Sequence, residues 1–460
     1  MTSMRSVNPT TGETLAAFDE DDDSTVDAKI AAAATAVELL ARAGWAQRAE
    51  WMAATADLLE SEGDEVAAMI TAEMGKPIAQ SRAEVAKSAH TMRYYAEHAY
   101  EFLEGRTLEN PSVVNASAAG TRFDPLGVVL AVMPWNYPIW QVVRFAAPAL
   151  MAGNAGLLKH ASNVPQSARY IGELFARAGF PEGSFSTLLI GSQRVAEVIR
   201  DARVAAVTLT GSEGAGRSIG ATAGDVLKKA VLELGGSDPF IVMPSAELDA
   251  AVEIAVKART INNGQACINA KRFIVHEEIF DEFSRKFAAR MSALVIGDPS
   301  DDQTEIGPLA TESGRRDIEA LVEDARDKGA HVLTGGAPVD ERDGWFYAPT
   351  VVTGITRDMR LFSEEAFGPV ASLYKVGSLD EALDIANESD FGLGSAFWSN
   401  DQEEIDRVVR EIEAGAVFVN GMTISFAELP FGGIKRSGFG RELSMEGIRE
   451  FCNLKTVWVA

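Results

Sequence analysis

A chain of 460 residues with 47% hydrophobic and 24% charged residues has the composition of a folded, water-soluble protein and is long enough for at least two lobes. Its formal net charge of -25 opposes binding to nucleic-acid backbones and anionic membrane surfaces, so we expect neither as a partner. No apolar stretch approaches the ~20 residues that span a bilayer, and the N-terminus lacks the features of a signal peptide, so we expect neither membrane insertion nor export.

The first quarter of the chain is predicted to be helical. Ala, Leu and Met recur at helical spacing between charged positions over residues 27–43, 47–74 and 78–103. We identify no constellation of chemical groups in these helices and interpret them as scaffold packed on something larger. The acidic run 19–23 that precedes them is interpreted as a solvated turn.

The chain beyond the polar stretch 110–122 is predicted to form an α/β fold. Short apolar runs separated by helical segments are typical of a parallel sheet that is covered by helices. In the first series the predicted strands are 128–133, 156–159, 187–190 and 204–209, and the predicted helices are 164–178 and 193–201. In a second series, which starts near residue 249, the predicted strands are 272–275, 351–354, 372–376 and 416–420.

Two further segments lie near the end of the sequence. Residues 431–442 are rich in glycine and positive charge, which indicates a loop. Residues 454–459 are predicted to form a strand. With little sequence behind it, this strand could complete the sheet of a neighbouring chain.

Cys267 is a candidate nucleophile. It follows Asn262, Asn263 and Gly264, where the glycine permits unusual dihedral angles and the amides offer donors near the sulfur. The alternative role is that of a small buried apolar residue, which is common for a lone cysteine. The other cysteine, Cys452, is far away in the sequence, so we expect no disulfide framework and a reducing compartment, the cytoplasm.

Glu233 and Asn136 are candidate partners of this cysteine. Glu233 ends an apolar run before two glycines, where a strand would deliver its carboxylate into an open space as a general base. The alternative is a structural carboxylate in a salt bridge. Asn136 lies in a turn made rigid by Pro134 and Pro138, where its amide can donate to an oxygen that becomes negative. The five histidines are scattered, and we expect no metal site.

Five separate motifs, in order along the chain, resemble those of the aldehyde dehydrogenase superfamily. They are 134–138 (PWNYP), 233–236 (ELGG), 264–267 (GQAC), 365–369 (EAFGP), and 430–433 (PFGG) followed by Lys435, Ser437, Gly438 and Arg441. The resemblance implies an α/β fold with a Rossmann-like cofactor domain, an α/β catalytic domain and a small β oligomerisation arm, in a homo-oligomer that is a dimer or a tetramer.

The same resemblance implies domain boundaries. We place the helical part of the cofactor-binding domain at 1–109, an oligomerisation segment at 110–127, the dinucleotide-binding α/β domain at 128–235, the catalytic domain at 236–436, and a C-terminal return with an oligomerisation strand at 437–460.

The resemblance also implies catalytic roles. Cys267 would be the nucleophile, Asn136 and the Cys267 backbone N–H the oxyanion hole, and Glu233 the base that activates water for hydrolysis of a thioester. Attack would form a thiohemiacetal, a hydride would leave to the cofactor, and water would release the acid. No histidine is available to the thiol, so nearby dipoles, the bound cofactor or Glu233 must activate it.

The implied cofactor is a nicotinamide dinucleotide. Gly211 and Ser212 open a predicted helix directly after a strand, a setting that can bind phosphate but that alone is a weak signal. The resemblance implicates Ser212 in a phosphate contact. It further implies cofactor contacts from Trp135, Lys159, Glu365 and Phe367.

Ser162 bears on the choice between NADP and NAD. Relatives that prefer NAD commonly carry a glutamate at the matching position, where it accepts from the ribose hydroxyls and would repel a 2′-phosphate. A serine leaves room and offers a hydroxyl. We therefore expect NADP, with NAD possible as the alternative.

Arg144 bears on the choice of aldehyde. It lies in an apolar helix that the resemblance places along the substrate tunnel, and a guanidinium can bind a distal carboxylate through two hydrogen bonds. A salt bridge to a carboxylate of the protein is the alternative. In this respect the chain resembles the succinate-semialdehyde dehydrogenases, with Ser425 and Tyr137 as further substrate contacts. It departs from them at Ile261, where several members have a second arginine.

The leading hypothesis is therefore oxidation of succinate semialdehyde to succinate with reduction of NADP. A first alternative is an aldehyde dehydrogenase for another small carboxylated or aliphatic aldehyde that uses NAD or NADP. An alternative of a different class is a catalytically retired scaffold or binding protein with the same fold.

Overall fold

Helices and strands alternate over most of the chain. The computed structural model describes residues 3–339 and 342–460. Its α-helices are α1 Asp23–Ser61, α2 Gly63–Met74, α3 Ile78–Phe102, α4 Trp140–Ala152, α5 Pro165–Arg177, α6 Val195–Arg200, α7 Glu213–Asp225, α8 Leu248–Thr260, α9 Glu277–Ser292, α10 Glu312–Asp327, α11 Arg360–Ser363, α12 Leu379–Asn387, α13 Gln402–Glu411 and α14 Ser444–Glu450.

The strands form two large sheets and three small pairs. They are β1 Ser3–Val7, β2 Thr14–Asp19, β3 Ala118–Pro125, β4 Val128–Met133, β5 Ala155–His160, β6 Phe185–Thr187, β7 Val204–Thr210, β8 Lys229–Glu233, β9 Asp238–Val242, β10 Ala270–His276, β11 His331–Thr334, β12 Thr350–Thr353, β13 Val370–Val376, β14 Phe391–Gly392, β15 Ala396–Trp398, β16 Phe418–Val419, β17 Ile434–Lys435, β18 Gly438–Phe439 and β19 Cys452–Val459.

The first large sheet has six strands in the order β18-β8-β7-β4-β5-β6, and its neighbours are parallel except for β18 and β8. Side chains of β4 alternate between two apolar clusters, with Val129 and Ala131 in one and Val128 and Leu130 in the other. Both faces of this sheet are therefore buried, which explains the continuous apolar run in the sequence of β4.

The carboxyl ends of β4, β5, β7 and β8 lie along one edge of this sheet. Each of these strands is followed directly by one of the segments singled out in the sequence. Ligands of open α/β sheets bind beyond the carboxyl ends of the strands, so this edge is where a site is expected.

The second large sheet has seven strands in the order β11-β12-β13-β10-β9-β15-β16, and its neighbours are parallel except for β11 and β12. Cys267 lies shortly before β10, and Glu365 and Phe367 lie shortly before β13. Because β10 and β13 are paired neighbours, the two loops enter the sheet side by side.

Most of the predicted strands are confirmed, and two are wrong in extent. The predicted strand 187–190 coincides with the structure only at Thr187, because β6 begins two residues earlier, with Gly156 opposite Phe185, and ends at Thr187. Leu188 and Ile190 are apolar because they are buried in the core, not because they are paired. The predicted strand 416–420 is reduced to the two residues of β16 at the edge of its sheet.

The predicted helices of the first quarter are confirmed with one addition. Gly44 interrupts α1 with a φ of 75°, at the predicted boundary between the first two helical segments. A second interruption at Glu62, between α1 and α2, was not predicted. Asp22 caps the amino end of α1 by accepting a hydrogen bond of 2.7 Å from Thr25 N. Among the described residues, no helix is both long enough and apolar enough to cross a membrane.

The last strand, β19, pairs antiparallel with β3 of the same chain over its whole length. It leaves Leu454, Val457 and Trp458 exposed on this two-stranded ribbon. Pairing with a neighbouring chain stays a prediction, as do the boundaries of the five predicted segments. Residues 431–442, predicted as a loop, include β17 and β18, and β18 places Gly438 opposite Glu233.

Candidate active site

The nucleophile loop, residues 262–267, has an unusual backbone. Asn262 and Asn263 adopt left-handed φ angles of 57° and 54°, and Gly264 follows with 75°. Asparagine tolerates this region better than most residues that carry a side chain. The amide of Asn262 donates to the carbonyl oxygen of Asn136 at 2.9 Å, so the loop is bound to the turn that carries the predicted oxyanion donor.

Gly264 leaves no room for a side chain. A Cβ at this position would lie 2.4 Å from the carbonyl carbon of Gly368, so the nucleophile loop packs directly on the loop that carries Glu365. Lys271 holds the same two loops together: its Nζ donates to the carbonyl oxygen of Cys267 at 2.6 Å and lies 2.9 Å from a carboxylate oxygen of Glu365.

The helices of the first quarter hold the nucleophile loop from the other side. The backbone N–H of Asn262 donates to the side-chain oxygen of Gln80 in α3 at 2.6 Å. The amide of Asn263 donates to the carbonyl oxygen of Gly75 at 2.8 Å. These helices therefore position the candidate nucleophile as well as packing on the sheet.

Cys267 lies at the junction of two cavities. The first cavity, with a volume of about 240 Å³, is bounded by α3, α4 and the segment 422–425. The second cavity, with a volume of about 290 Å³, is bounded by the turns after β4, β7 and β8 and by the loop before β13. Asn136, Gln141 and Cys267 line both cavities. The structure thus brings the predicted nucleophile and the predicted oxyanion donor together.

Asn136 is buried and firmly oriented. Its Nδ2 donates to the carbonyl oxygen of Gln265 at 2.9 Å, and its Oδ1 accepts from Tyr137 N at 3.1 Å. A side-chain amide has two N–H groups, so one remains for a ligand atom held beside Cys267. This arrangement can stabilise an oxyanion with little reorganisation.

The thiol of Cys267 is protonated at neutral pH in this state. Burial raises its pKa to about 12, although the positive charges of Lys271 and Arg144 act in the opposite direction. The negative charges of Glu365 and Glu233 add to the increase. The free thiol therefore needs activation, as expected in the absence of a histidine partner.

Glu233 does not point into open space, contrary to the sequence-based expectation. It is only 1% exposed and lines neither of the two cavities. Neither of its carboxylate oxygens has a hydrogen-bond partner among the described residues. Burial, followed by the negative charge of Glu442, raises its pKa well above the usual range. The reason for this placement is β18, which packs against β8 and closes over the strand end.

Arg144 adopts the alternative considered for it, an ion pair within the protein. Its guanidinium pairs with the buried carboxylate of Glu442 and donates to Thr210 Oγ1 at 3.2 Å. It also lies 4.6 Å from the centre of the Phe431 ring. Arg144 lines the first cavity as predicted, but much of its charge is compensated by Glu442.

The first cavity contains chemical groups from α3, which were not anticipated. Gln80, Glu84 and Lys87 all line it. Glu84 pairs with Lys76, and its other oxygen accepts from Ile139 N at 2.9 Å. The interpretation of the first helices as scaffold without chemical groups is therefore wrong. Their polar residues escaped notice because they occur at ordinary helical spacing.

The remaining residues predicted to contact substrate also line the first cavity. Ser425 is buried, and its hydroxyl accepts from Lys87 Nζ at 2.8 Å. Tyr137 lies under Lys76, whose Nζ is 3.8 Å from the ring centre. Ile261 lines the cavity with an apolar side chain, at the position where several of the enzymes that the chain resembles have a second arginine.

The second cavity fits a nicotinamide dinucleotide in its chemistry. Gly211 and Ser212 lie at the amino end of α7, whose first N–H groups have no helical partner and can bind phosphate. Trp135 and Phe367 meet edge to face at 5.7 Å and offer a surface for a planar ring. Glu365 supplies a carboxylate that can accept from ribose hydroxyls.

Lys159 and Ser162 lie outside the lining of the second cavity but at the same sheet edge. Lys159 is buried in β5, where it pairs with Val132 of β4, and burial lowers its pKa. Ser162 is exposed in the turn between β5 and α5. Their proposed contacts with the adenosine part of the cofactor remain predictions.

Sequence reasoning missed Glu442, Lys271 and Lys87. A signal existed for Lys271, because a lysine at the start of a mostly apolar strand is unusual unless it is paired. Glu442 and Lys87 had no comparable signal, since each lies beside other charged or polar residues in the sequence.

Comparison with known proteins extends over almost the whole chain. Residues 1–457 match the profile of the Aldehyde dehydrogenase family. The curated protein named succinate-semialdehyde dehydrogenase [NADP(+)] 1 from Mycobacterium tuberculosis strain H37Rv is 59% identical over 454 residues, which cover 99% of each chain.

Two solved structures agree with this assignment. A crystal structure of succinic semialdehyde dehydrogenase from Streptococcus pyogenes in complex with NADP⁺ has a TM-score of 0.95 and 37% identity, with 99% of each chain covered. A crystal structure of succinate-semialdehyde dehydrogenase from Burkholderia pseudomallei has a TM-score of 0.96 and 36% identity, and covers 100% of this chain and 95% of the other. With its five motifs gathered around a junction of two cavities, the chain belongs to the aldehyde dehydrogenase family.

Proposed function

We propose that this protein oxidises succinate semialdehyde to succinate and reduces NADP, through a thiohemiacetal and then a thioester on Cys267. The observation that carries the proposal is the position of Cys267 between a cavity with cationic groups in an apolar lining and a cavity that fits a nicotinamide dinucleotide. The names of the mycobacterial relative and the streptococcal structure support both the aldehyde and the cofactor.

Attack on the aldehyde is the first step. The thiol of Cys267 first loses its proton to solvent. Its sulfur then bonds to the carbonyl carbon as the C=O π bond breaks, and the carbonyl oxygen becomes negative beside the free N–H of Asn136 and the backbone N–H of Cys267. Lys271 and Arg144 both favour the thiolate and so lower the cost of forming it. Withdrawal of water from the cavity by the bound substrate strengthens these charge interactions.

The second cavity would hold the cofactor through Trp135, Ser212, Glu365 and Phe367, with Lys159 and Ser162 nearer the adenosine ribose. When bound, the nicotinamide ring supplies the acceptor for the hydride that leaves the carbonyl carbon. Lys271 fixes Glu365 beside the nucleophile loop, and this contact sets the position of that carboxylate relative to the sulfur.

In hydrolysis of the thioester, Glu233 acts as the base that activates water. As a base it must be ionised, and its raised pKa means that it accepts a proton from water more readily than an exposed glutamate. No hydrogen bond from the described residues restrains its carboxylate, so the side chain can turn towards Cys267 without breaking one.

Steady-state kinetics on the purified protein test this proposal. Succinate semialdehyde and butyraldehyde are compared side by side, each with NADP and with NAD. We expect kcat/KM to favour the carboxylated aldehyde by roughly tenfold or more, the usual contribution of a charged hydrogen bond, and to favour NADP. Equal efficiency on the two aldehydes contradicts the proposed substrate. If the folded protein forms no reduced cofactor with any aldehyde, that result supports the alternative of a catalytically retired scaffold.

We also propose that the protein is a cytoplasmic homo-oligomer, either a dimer or a tetramer. The exposed apolar residues on the β3–β19 ribbon support assembly through that ribbon, and the two free cysteines suit a reducing compartment. Light scattering after size exclusion measures the mass. A Trp458→Lys variant is expected to shift the protein towards the monomer, and an unchanged mass contradicts assembly through the ribbon.

A further inference from the structure

The first cavity needs a cation if it is to bind a carboxylated aldehyde. Three cationic residues line it: Lys87, Arg144 and Lys257. Arg144 is paired with the buried carboxylate of Glu442 and is therefore not a free positive charge. Ile261 contributes none. The lysines are the remaining sources of positive charge in this lining.

Lys87 lies in α3 with its ammonium group turned into the cavity. Its Nζ donates to Ser425 Oγ at 2.8 Å and lies 4.2 Å from the centre of the Trp140 ring. An ammonium group has three N–H donors, so two remain after the contact with Ser425. Lys257, by contrast, is exposed at the carboxyl end of α8, where water screens its charge.

The acidic group nearest in sequence to Lys87 is already occupied. Glu84, one turn earlier in α3, pairs with Lys76, and its second oxygen accepts from the backbone N–H groups of Ile139 and Trp140, each at 2.9 Å. Within the described residues, Lys87 forms no ion pair. It is thus a partly buried cation whose contacts among the described residues, the Ser425 hydroxyl and the Trp140 ring, carry no negative charge.

This environment disfavours the charged form of Lys87. Burial, followed by the positive charge of Arg144, lowers its pKa to about 8, while Glu84 opposes the decrease. A ligand carboxylate placed beside the ammonium group would supply the missing negative charge and two further hydrogen-bond acceptors.

We propose that Lys87 Nζ, together with Ser425 Oγ, binds the distal carboxylate of the substrate and so determines the preference for ω-carboxylated aldehydes. This inference rests on the proposed function and deepens it. Arg144 then acts on the substrate mainly through the electrostatic potential of its charge, because its guanidinium is paired with Glu442. The apolar wall of the cavity, which includes Ile261 and Phe431, packs on the methylene groups between the two ends of the substrate.

The test compares Lys87→Met with Lys87→Arg and with a control, Lys375→Met, which removes an exposed positive charge on β13 that lines neither cavity. Each variant is assayed on succinate semialdehyde and on butyraldehyde with saturating cofactor. In Lys87→Met we expect the KM for succinate semialdehyde to rise roughly 10- to 100-fold, as on loss of a charged hydrogen bond, with kcat changed less than about threefold. Butyraldehyde kinetics should stay within about twofold, Lys87→Arg should restore part of the loss, and Lys375→Met should resemble the parent.

A second readout does not depend on a variant. Succinate is measured as a competitive inhibitor across pH. Butyrate, which has a methyl group in place of the second carboxylate, is measured in the same way for comparison. We expect inhibition by succinate to weaken as pH rises through about 8, because the ammonium form of Lys87 is lost there. The charged groups that act on Lys87 are Glu84 on its own helix and Arg144 on α4.

The outcomes separate the two proposals. If the parent enzyme shows no preference for succinate semialdehyde, both proposals are overturned. If the parent prefers it and Lys87→Met keeps that preference, only the role of Lys87 is overturned. An equal loss on both aldehydes also overturns it, because that result indicates a general change in the cavity.

Discussion

The two cavities that meet at Cys267 are built from different kinds of element. The second cavity is made mainly of turns that follow strands, so that runs of two or three consecutive residues, 134–136, 210–212 and 234–235, carry most of its groups. The first cavity, apart from the nucleophile loop and the segment 422–425, is made mainly of side chains on the faces of α3 and α4, which are mostly three or four residues apart and are separated by unrelated positions. A cavity of turns leaves compact motifs in the sequence, whereas a cavity of helix faces resembles ordinary amphipathic scaffold.

The largest expected effect is at the residue that both cavities share. Cys267→Ala removes the nucleophile, so oxidation of every aldehyde should fall by roughly four orders of magnitude or more with either cofactor. Fluorescence titration should still show NADP binding, because the second cavity keeps its other groups. Cys452→Ala is the matched control and should retain activity. Appreciable turnover by Cys267→Ala would show that Cys267 is not the nucleophile.

Glu233→Gln separates the two halves of the reaction. We expect a first burst of reduced cofactor close to one per active site, followed by steady-state turnover that is roughly 10²- to 10⁴-fold slower, because water is no longer activated. In the parent enzyme, hydrolysis should accelerate as pH rises through the raised pKa of Glu233, since only the ionised form is a base. The pH profile of the variant should lose this rise. Steady-state turnover by Glu233→Gln at the rate of the parent enzyme would contradict the role of Glu233 as the base.

Arg144 sharpens the comparison, because it faces the first cavity but is tied to the protein interior. Arg144→Met leaves Glu442 and Glu233 buried without their cation, and we expect a loss of roughly 3–5 kcal/mol in the free energy of unfolding. The double variant Arg144→Met, Glu442→Leu should recover much of this loss. Urea unfolding measures both. If the single variant is as stable as the parent, the ion pair has no structural role.

Ser162 tests the adenosine end of the second cavity. Ser162→Glu places a negative charge where a 2′-phosphate is expected, and the KM for NADP should rise roughly tenfold or more while that for NAD stays the same or falls. Ser292→Glu, at the end of α9, adds the same charge elsewhere and should leave both values unchanged. An unchanged ratio in Ser162→Glu would show that this turn does not set cofactor choice.

Most of the residues that could be predicted belong to a short motif at a strand end or in a rigid turn; Arg144, inside α4, is an exception. Asn136 between two prolines and Cys267 after Gly264 are of this kind, and the structure brings them together. The strands β4 and β7 were also predictable, because burial on both faces leaves mostly apolar residues in them.

The rest depends on contacts between distant segments, which a single sequence does not encode locally. Glu442 reaches Glu233 only because β18 pairs with β8, and that pairing involves two residues of a glycine-rich segment. Lys87 meets Ser425 across 338 positions of sequence. The burial of Glu233 was missed for the same reason, since β18, which covers it, lies far away in the sequence, near the C-terminus.

The contact between Gly264 and Gly368 has a consequence for the order of events. Backbone packs against backbone there, so the segment that carries Glu365 cannot move far without moving the segment that carries Cys267. The cofactor that we propose at Glu365 is therefore expected to shift the nucleophile loop when it binds. An aldehyde that binds before the cofactor is expected to meet a protonated thiol, whose pKa burial raises to about 12.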